Sequence, residues 1–168
     1  MLEVSARRPH GLSLIEMLVV LTIVSILLSA ALPSYQELLR NQALKAAASE
    51  WMAAIQRARS AAVRSGMTVD ILATQAQDWN RGWVLARDTN DNRRLDSGEQ
   101  KLHAYGPIPD TIEVTLSFNG KPLQFQPSGR PAQSGHVLLA AGALRRKIIV
   151  NMLGRPRLCD PDLAQTDC

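Results

Sequence analysis

Near its C-terminus the chain reads Gly154-Arg155-Pro156-Arg157, with Arg145-Arg146-Lys147 one strand-length earlier. A guanidinium presents a planar fork of N–H donors that matches two phosphate oxygens at once, and a lysine adds a mobile point charge. Residues two apart in an extended segment share a face, so Arg155 and Arg157 are expected side by side. Arg145, Arg146 and Lys147 are expected to join the same patch. Such a patch would hold a polyanion by its backbone, independently of sequence, and would release it as salt rises. The plainer alternative is a solvated basic turn with no ligand. Pro156 has no amide donor, which keeps this segment from the centre of a sheet.

A second residue out of place is Glu16, the only charged residue between Gly11 and Glu37. A carboxylate inside a membrane helix costs about 2.5–3.5 kcal/mol on insertion scales, and such residues usually mark function. It needs a cation. Cutting the chain between Gly11 and Leu12 would supply one, because the new α-amino group would lie one helical turn from Glu16.

Other candidates are weaker. Asp88, Asn90, Asn92, Asp96 and Glu99 fall at the oxygen-bearing positions of a calcium-loop template, but Arg93 occupies the place that the sharp turn reserves for glycine. A polar hairpin loop is therefore preferred to a cation site. His10, His103 and His136 lack metal-ligand spacing. No serine lies in a Gly-x-Ser-x-Gly elbow, and no nucleophile–base pair is evident, so no catalytic residue, metal or cofactor is expected. Trp51 and Trp83 read as core residues, and the position of Trp79 is left open. Aromatic residues make up 4% of the chain, too few for a base-stacking platform.

These residues need elements to carry them. Leu12 to Tyr35 is almost wholly apolar, and as a helix it would span about 35 Å, enough for a hydrocarbon core of roughly 30 Å. Arg7 and Arg8 before it favour a cytoplasmic N-terminus and an outward C-terminal bulk. A plain membrane anchor, or a secretory signal cut after Ser29-Ala30-Ala31, would explain part of this run. Pro33 should kink the helix or loosen the turn before it. From Leu38 to Arg64 the pattern becomes amphipathic. Leu44, Ala47, Trp51, Ala54, Ile55, Ala58 and Ala62 recur at helical spacing, and Lys45, Ser49, Gln56 and Ser60 fall on another face. Arg57, Arg59 and Arg64 are placed on its solvated or partner-facing side. Ser65-Gly66 ends it.

Short strand patterns follow: 67–73, 82–87, 101–105, 111–118, 123–126, 136–141 and 147–152, separated by turn residues. Asn119-Gly120 is the strongest hairpin signal among them. A long N-terminal helix against antiparallel strands gives an α+β chain. It divides into a leader over 1–11, an apolar helix half over 12–35, an amphipathic half over 36–66 and a β-rich domain over 67–168. The net charge of +4 and pI near 9.5 suit a polyanion or a membrane surface without demanding either. Cys159 and Cys168, the only cysteines, are candidates for a disulfide in an exported domain.

Gly11 before an apolar run with glutamate at the fifth following position resembles the class III signal of type IV pilins and type II secretion pseudopilins. Leu12 stands where phenylalanine is usual. Gly82-Trp83-Val84-Leu85 before the Asp-Asn loop, Phe125-x-Pro-x-Gly129-Arg130, and Gly154-Arg155-Pro156-Arg157 are similar to the FimT/GspH branch of the minor pilins. The resemblance implies a pilin-like fold with a helix on antiparallel sheets. It implies cleavage by prepilin peptidase between Gly11 and Leu12, N-methylation of Leu12, and assembly with other major and minor pilins through Glu16. It implies a single-pass inner-membrane protein with a periplasmic domain that later joins a surface filament. The FimT-type Gly-Arg-x-Arg motif implies binding of double-stranded DNA during natural transformation. The alternative implied by the same resemblance is a GspH-like subunit of the type II secretion pseudopilus.

Overall fold

The computed structural model describes residues 13–75, 78–90, 92, 94–118 and 122–162. They form one helix and eight strands in two compact units, one up to Leu39 and the other from Arg40 onward.

In the first unit, helix α1 (Leu14–Ser65) starts at Ser13, whose carbonyl accepts the amides of Glu16 and Met17 at 3.1 and 3.2 Å. The Ser13 hydroxyl also faces the Glu16 amide, at 3.4 Å. These contacts satisfy donors that a helix start would otherwise leave open. The helix continues unbroken through Pro33. Apolar side chains along this part, from Leu14 to Leu39, are exposed. The helix contains a stretch long and apolar enough to cross a membrane, with mean hydropathy 2.5. Thr22, Ser25 and Ser29 return their hydroxyl protons to carbonyls one turn back, so they add no unpaired donor to an apolar surface.

In the second unit the same helix buries one stripe. Leu44, Ala47, Ala48, Trp51, Ala54, Ile55, Ala58 and Ala62 all lie in the core, and Lys45, Ser49, Gln56 and Ser60 are exposed. Five of the eight are alanines, three of them (Ala54, Ala58 and Ala62) four residues apart, which lets strands approach the helix closely. Gly66, with φ of 65°, closes the helix by donating to the Ala62 carbonyl at 3.0 Å.

The strands are β1 (Val69–Gln75), β2 (Asp78–Ala86), β3 (Lys101–Ala104), β4 (Glu113–Ser117), β5 (Leu123–Phe125), β6 (Gly135–Ala141), β7 (Leu144–Val150) and β8 (Pro156–Cys159). They form two antiparallel sheets, ordered β3-β2-β1-β5 and β4-β6-β7-β8. Val69, Ile71, Trp83, Leu85, Leu123 and Phe125 from the first sheet share one core with Val114, Val137, Leu139, Ile148 and Val150 from the second. Asn80 ties the sheets together: its amide donates to the Ile112 carbonyl, and its Oδ1 accepts the Val114 amide at 3.3 Å.

The hairpin expected at Asn119-Gly120 does not form. Its flanking strands pair in different sheets, β4 with β6 and β5 with β1. Leu123 and Phe125 are completely buried at the edge of the first sheet, and that burial outweighs the local turn preference. Residues 119–121 lie outside the described set.

Across the core, Trp51 on the helix stacks on Trp83 with ring centres 4.3 Å apart, and Trp83 stacks on Tyr105 at 5.0 Å. Trp79, half-buried, leans on Trp51 at 5.7 Å. At the surface end, Arg57 donates to His103 Nε2 at 2.9 Å and to the Tyr105 hydroxyl at 3.3 Å. Burial pushes the Tyr105 phenol up, and the bond from Arg57 partly opposes this.

Candidate functional site

The C-terminal basic residues sit on β7, β8 and the turn between them. Ile149 faces Arg157 across the ladder, and Lys147 faces Cys159. Cross-strand partners share a face, so Arg145, Lys147, Ile149 and Arg157 line one side of the second sheet. Arg146 belongs to the other side, with the buried Ile148 and Val150. Three consecutive basic residues cannot share one face of a strand, so the patch expected at 145–147 is divided.

Two of its charges are also neutralised. Arg145 makes a two-pronged contact with Asp162, at 2.6 and 3.3 Å. Arg146 pairs with the Asp160 carboxylate, largely shielded from solvent, and donates to the Arg145 carbonyl at 2.7 Å. The signal for this lay in the sequence, where Asp160 and Asp162 follow Cys159 closely. Arg155 is exposed, and among the described residues no carboxylate pairs with it. Its amide is held by Asn151 Oδ1 at 3.0 Å. Arg157 is exposed on β8, an edge strand that opens with Pro156. Proline at the first position of an edge strand loses no ladder bond that the sheet needs.

Gly154 explains how the arginines are held. It is buried, with φ of 73°, and a Cβ placed on it would lie 2.3 Å from the Gly129 carbonyl oxygen. Only glycine fits both the left-handed backbone and that approach. Arg59 of the helix donates from Nε to the same Gly129 oxygen at 3.0 Å. The β7–β8 turn is thereby braced on the loop after β5 and on the helix, a long-range arrangement that no local pattern announces.

His136 lies on β6 opposite Ile149, on the face that carries Lys147. Burial lowers its pKa below the usual histidine value, and the Lys147 charge lowers it further. Cys159 is buried. Cys168, Gly11 and Leu12 lie outside the described residues, so the cleavage and methylation positions are read from sequence alone. Glu16 is in the first turn of α1.

The 88–99 segment is a self-bonded loop. Asp88 and Asn90 side-chain oxygens accept the Asn92 amide at 3.3 and 3.1 Å, and Asp96 accepts both asparagine side-chain amides at 2.8 and 2.6 Å. Glu99 accepts the amides of Thr89 and Asp96 at 3.0 and 3.1 Å. Beneath it Leu95 packs on Leu72, Val84 and Ala86, so the loop covers the outer face of the first sheet. Among the described residues no group of three or more His, Cys, Asp or Glu side chains is placed to hold a metal ion.

Comparison with known proteins places this geometry. The family model for type II transport protein GspH matches residues 47–154, and the prokaryotic N-terminal methylation motif matches 6–32. The GspH match ends at Gly154, just before the two arginines. The pilin-like protein PilA1 of Thermus thermophilus is 33% identical over 159 residues, covering 89% of this chain and 97% of the relative. The minor type IV pilin FimU of Pseudomonas aeruginosa superposes with a TM-score of 0.57 at 22% identity, over 69% of this chain and 87% of that one. The minor pseudopilin EpsH of the Vibrio cholerae type 2 secretion system superposes with a TM-score of 0.54 at 14% identity, over 71% and 98%. One long helix packed through its second half on two antiparallel sheets, behind an N-terminal methylation motif, makes the chain a member of the GspH family of minor type IV pilins and pseudopilins.

Proposed function

We propose that the protein is a minor type IV pilin that binds double-stranded DNA non-specifically during DNA uptake. It is made as an inner-membrane prepilin with its domain in the periplasm. Prepilin peptidase cuts between Gly11 and Leu12 and methylates Leu12. The new terminal cation lies one turn from Glu16 and offsets the cost of placing that carboxylate among apolar helices. The protein then joins other major and minor pilins in the filament and supports pilus biogenesis. Cys159 pairs with Cys168, closing the C-terminal loop.

The observation that carries DNA binding is the exposed Arg155, presented beside the edge-strand Arg157 on a turn braced by Gly154. Lys147 adds charge on the Arg157 face, whereas Arg145 and Arg146 are occupied by Asp162 and Asp160. So few phosphate contacts give affinity in roughly the micromolar to 100-micromolar range. Repetition along a filament would raise the effective affinity. The test is a mobility-shift titration of full-length mature protein in non-ionic detergent, at two salt concentrations. Arg155→Ala with Arg157→Ala should remove most of the shift and leave the circular dichroism spectrum unchanged. Undiminished binding by that variant overturns the assignment.

A second reading, a GspH-like subunit of the type II secretion pseudopilus, is favoured by the family match and by the likeness to EpsH. A deletion strain separates the two: loss of transformation supports the pilus, and loss of protein secretion the pseudopilus.

A further inference from the structure

The segment Gly-Arg-Pro occurs twice in this chain, at 129–131 and at 154–156, and the fold brings the two copies together. Both glycines are left-handed, with φ of 74° and 73°. Each closes a tight turn by donating its amide three residues back, Gly129 to Gln126 and Gly154 to Asn151, both at 2.8 Å. In each turn a side-chain oxygen accepts the arginine amide: Ser128 Oγ for Arg130 at 3.4 Å, and Asn151 Oδ1 for Arg155 at 3.0 Å. The proline that follows holds each arginine in an extended backbone conformation. The two glycine backbones abut, since a Cβ placed on Gly154 would lie 2.3 Å from the Gly129 oxygen, and Arg59 clasps the junction from the helix. Arg130 and Arg155 therefore leave the surface from adjoining backbone positions. Both are exposed, and among the described residues neither meets a carboxylate.

We infer that Arg130 is a further phosphate-binding residue, and that the paired Gly-Arg-Pro turns form one two-armed grip on the backbone of a nucleic-acid strand. This rests on the DNA-binding reading above. Two like charges leaving neighbouring points of a braced surface repel unless an anion lies between or along them. A polyphosphate backbone supplies such a series of anions, and a planar fork on each arm suits its oxygens. Arg59, spent on the Gly129 carbonyl, is a positioning residue that fixes the spacing of the arms.

The test uses full-length mature protein in non-ionic detergent and a short duplex of random sequence, titrated over a range of salt. Arg130→Ala should weaken binding about two- to fivefold at low salt, the span of one exposed ion pair. It should also flatten the slope of log affinity against log salt by about 0.9, the loss of one phosphate contact. Arg81→Ala, which removes the same charge from an exposed site on β2 beside Asp78, should leave both quantities unchanged. Thermal melting of each variant reports folding independently. If Arg130→Ala binds like the parent while the Arg155/Arg157 double variant does not, the two-armed grip is wrong and the DNA reading stands. If Arg81→Ala weakens binding as much as Arg130→Ala, bulk charge accounts for the effect and the grip is again wrong. If the double variant also binds normally, the DNA reading itself falls.

Discussion

Replacing Gly154 with alanine tests the packing on which the basic turn depends. The residue holds φ at 73°, where an L side chain costs about 1–2 kcal/mol. The new Cβ would lie 2.3 Å from the Gly129 oxygen, with Phe125 Cε1 and Arg59 Nε both at 3.3 Å. Since the nearest atom is backbone, the two turns must separate by about an ångström to restore ordinary contact. That movement strains the 3.0 Å bond from Arg59 to Gly129, and a hydrogen bond from a charged group contributes about 1.5–3 kcal/mol. Together these give a loss of about 2.5–5 kcal/mol. Gly142 supplies the control. It has φ of 62° but nothing within 4 Å of a Cβ, so Gly142→Ala should lose only the backbone part, about 1–2 kcal/mol. Urea unfolding followed by far-ultraviolet circular dichroism gives both values, provided that the slope against urea is unchanged. Equal losses in the two variants would refute the tight contact between the turns.

Two further outcomes are expected. Glu16→Ala should leave leader cleavage intact and abolish incorporation into filaments, seen as processed protein confined to the membrane fraction. Normal filament incorporation would remove the charge-pairing role of Glu16. His136 has a folded-state pKa below the ordinary 6.5, chiefly from burial and secondarily from Lys147. Below 6.5 the unfolded chain therefore binds the proton more readily, so this contribution to stability is complete above that pH and falls away as pH drops through it. Lys147→Gln should raise the His136 titration midpoint in an NMR experiment, yet leave it below 6.5 because burial remains. An unchanged midpoint would exclude the lysine as a cause.

Periodicity made the helix legible. Every residue assigned to its apolar stripe is buried, because a 3.6-residue repeat depends only on near neighbours. The strands from β1 to β7 were readable to within a few residues for the same reason. β8 was not, since Pro156-Arg157-Leu158-Cys159 carries no alternation and gains its strand character from pairing with β7. The turn at 119–120 misled because strand choice is decided by burial of Leu123 and Phe125 against distant partners. At the site, the arginine types and the Gly154 turn were visible in sequence. The division of Arg145 from Arg146, their capture by Asp162 and Asp160, and the meeting of Gly154 with Gly129 are products of tertiary register. A local reading assigns charge to a segment but cannot say which charges a fold has already spent.

The stacked rings of Trp51 and Trp83 join the helix to the first sheet at a ring-centre distance of 4.3 Å. Two indoles so close couple their intense short-wavelength transitions, and the pair should give an exciton couplet at the long-wavelength end of the far-ultraviolet circular dichroism spectrum that neither gives alone. That band is an intrinsic optical gauge of helix docking. It would vanish if the helix peeled from the sheet while both elements kept their secondary structure, and it needs no label to be followed from detergent into an assembled filament.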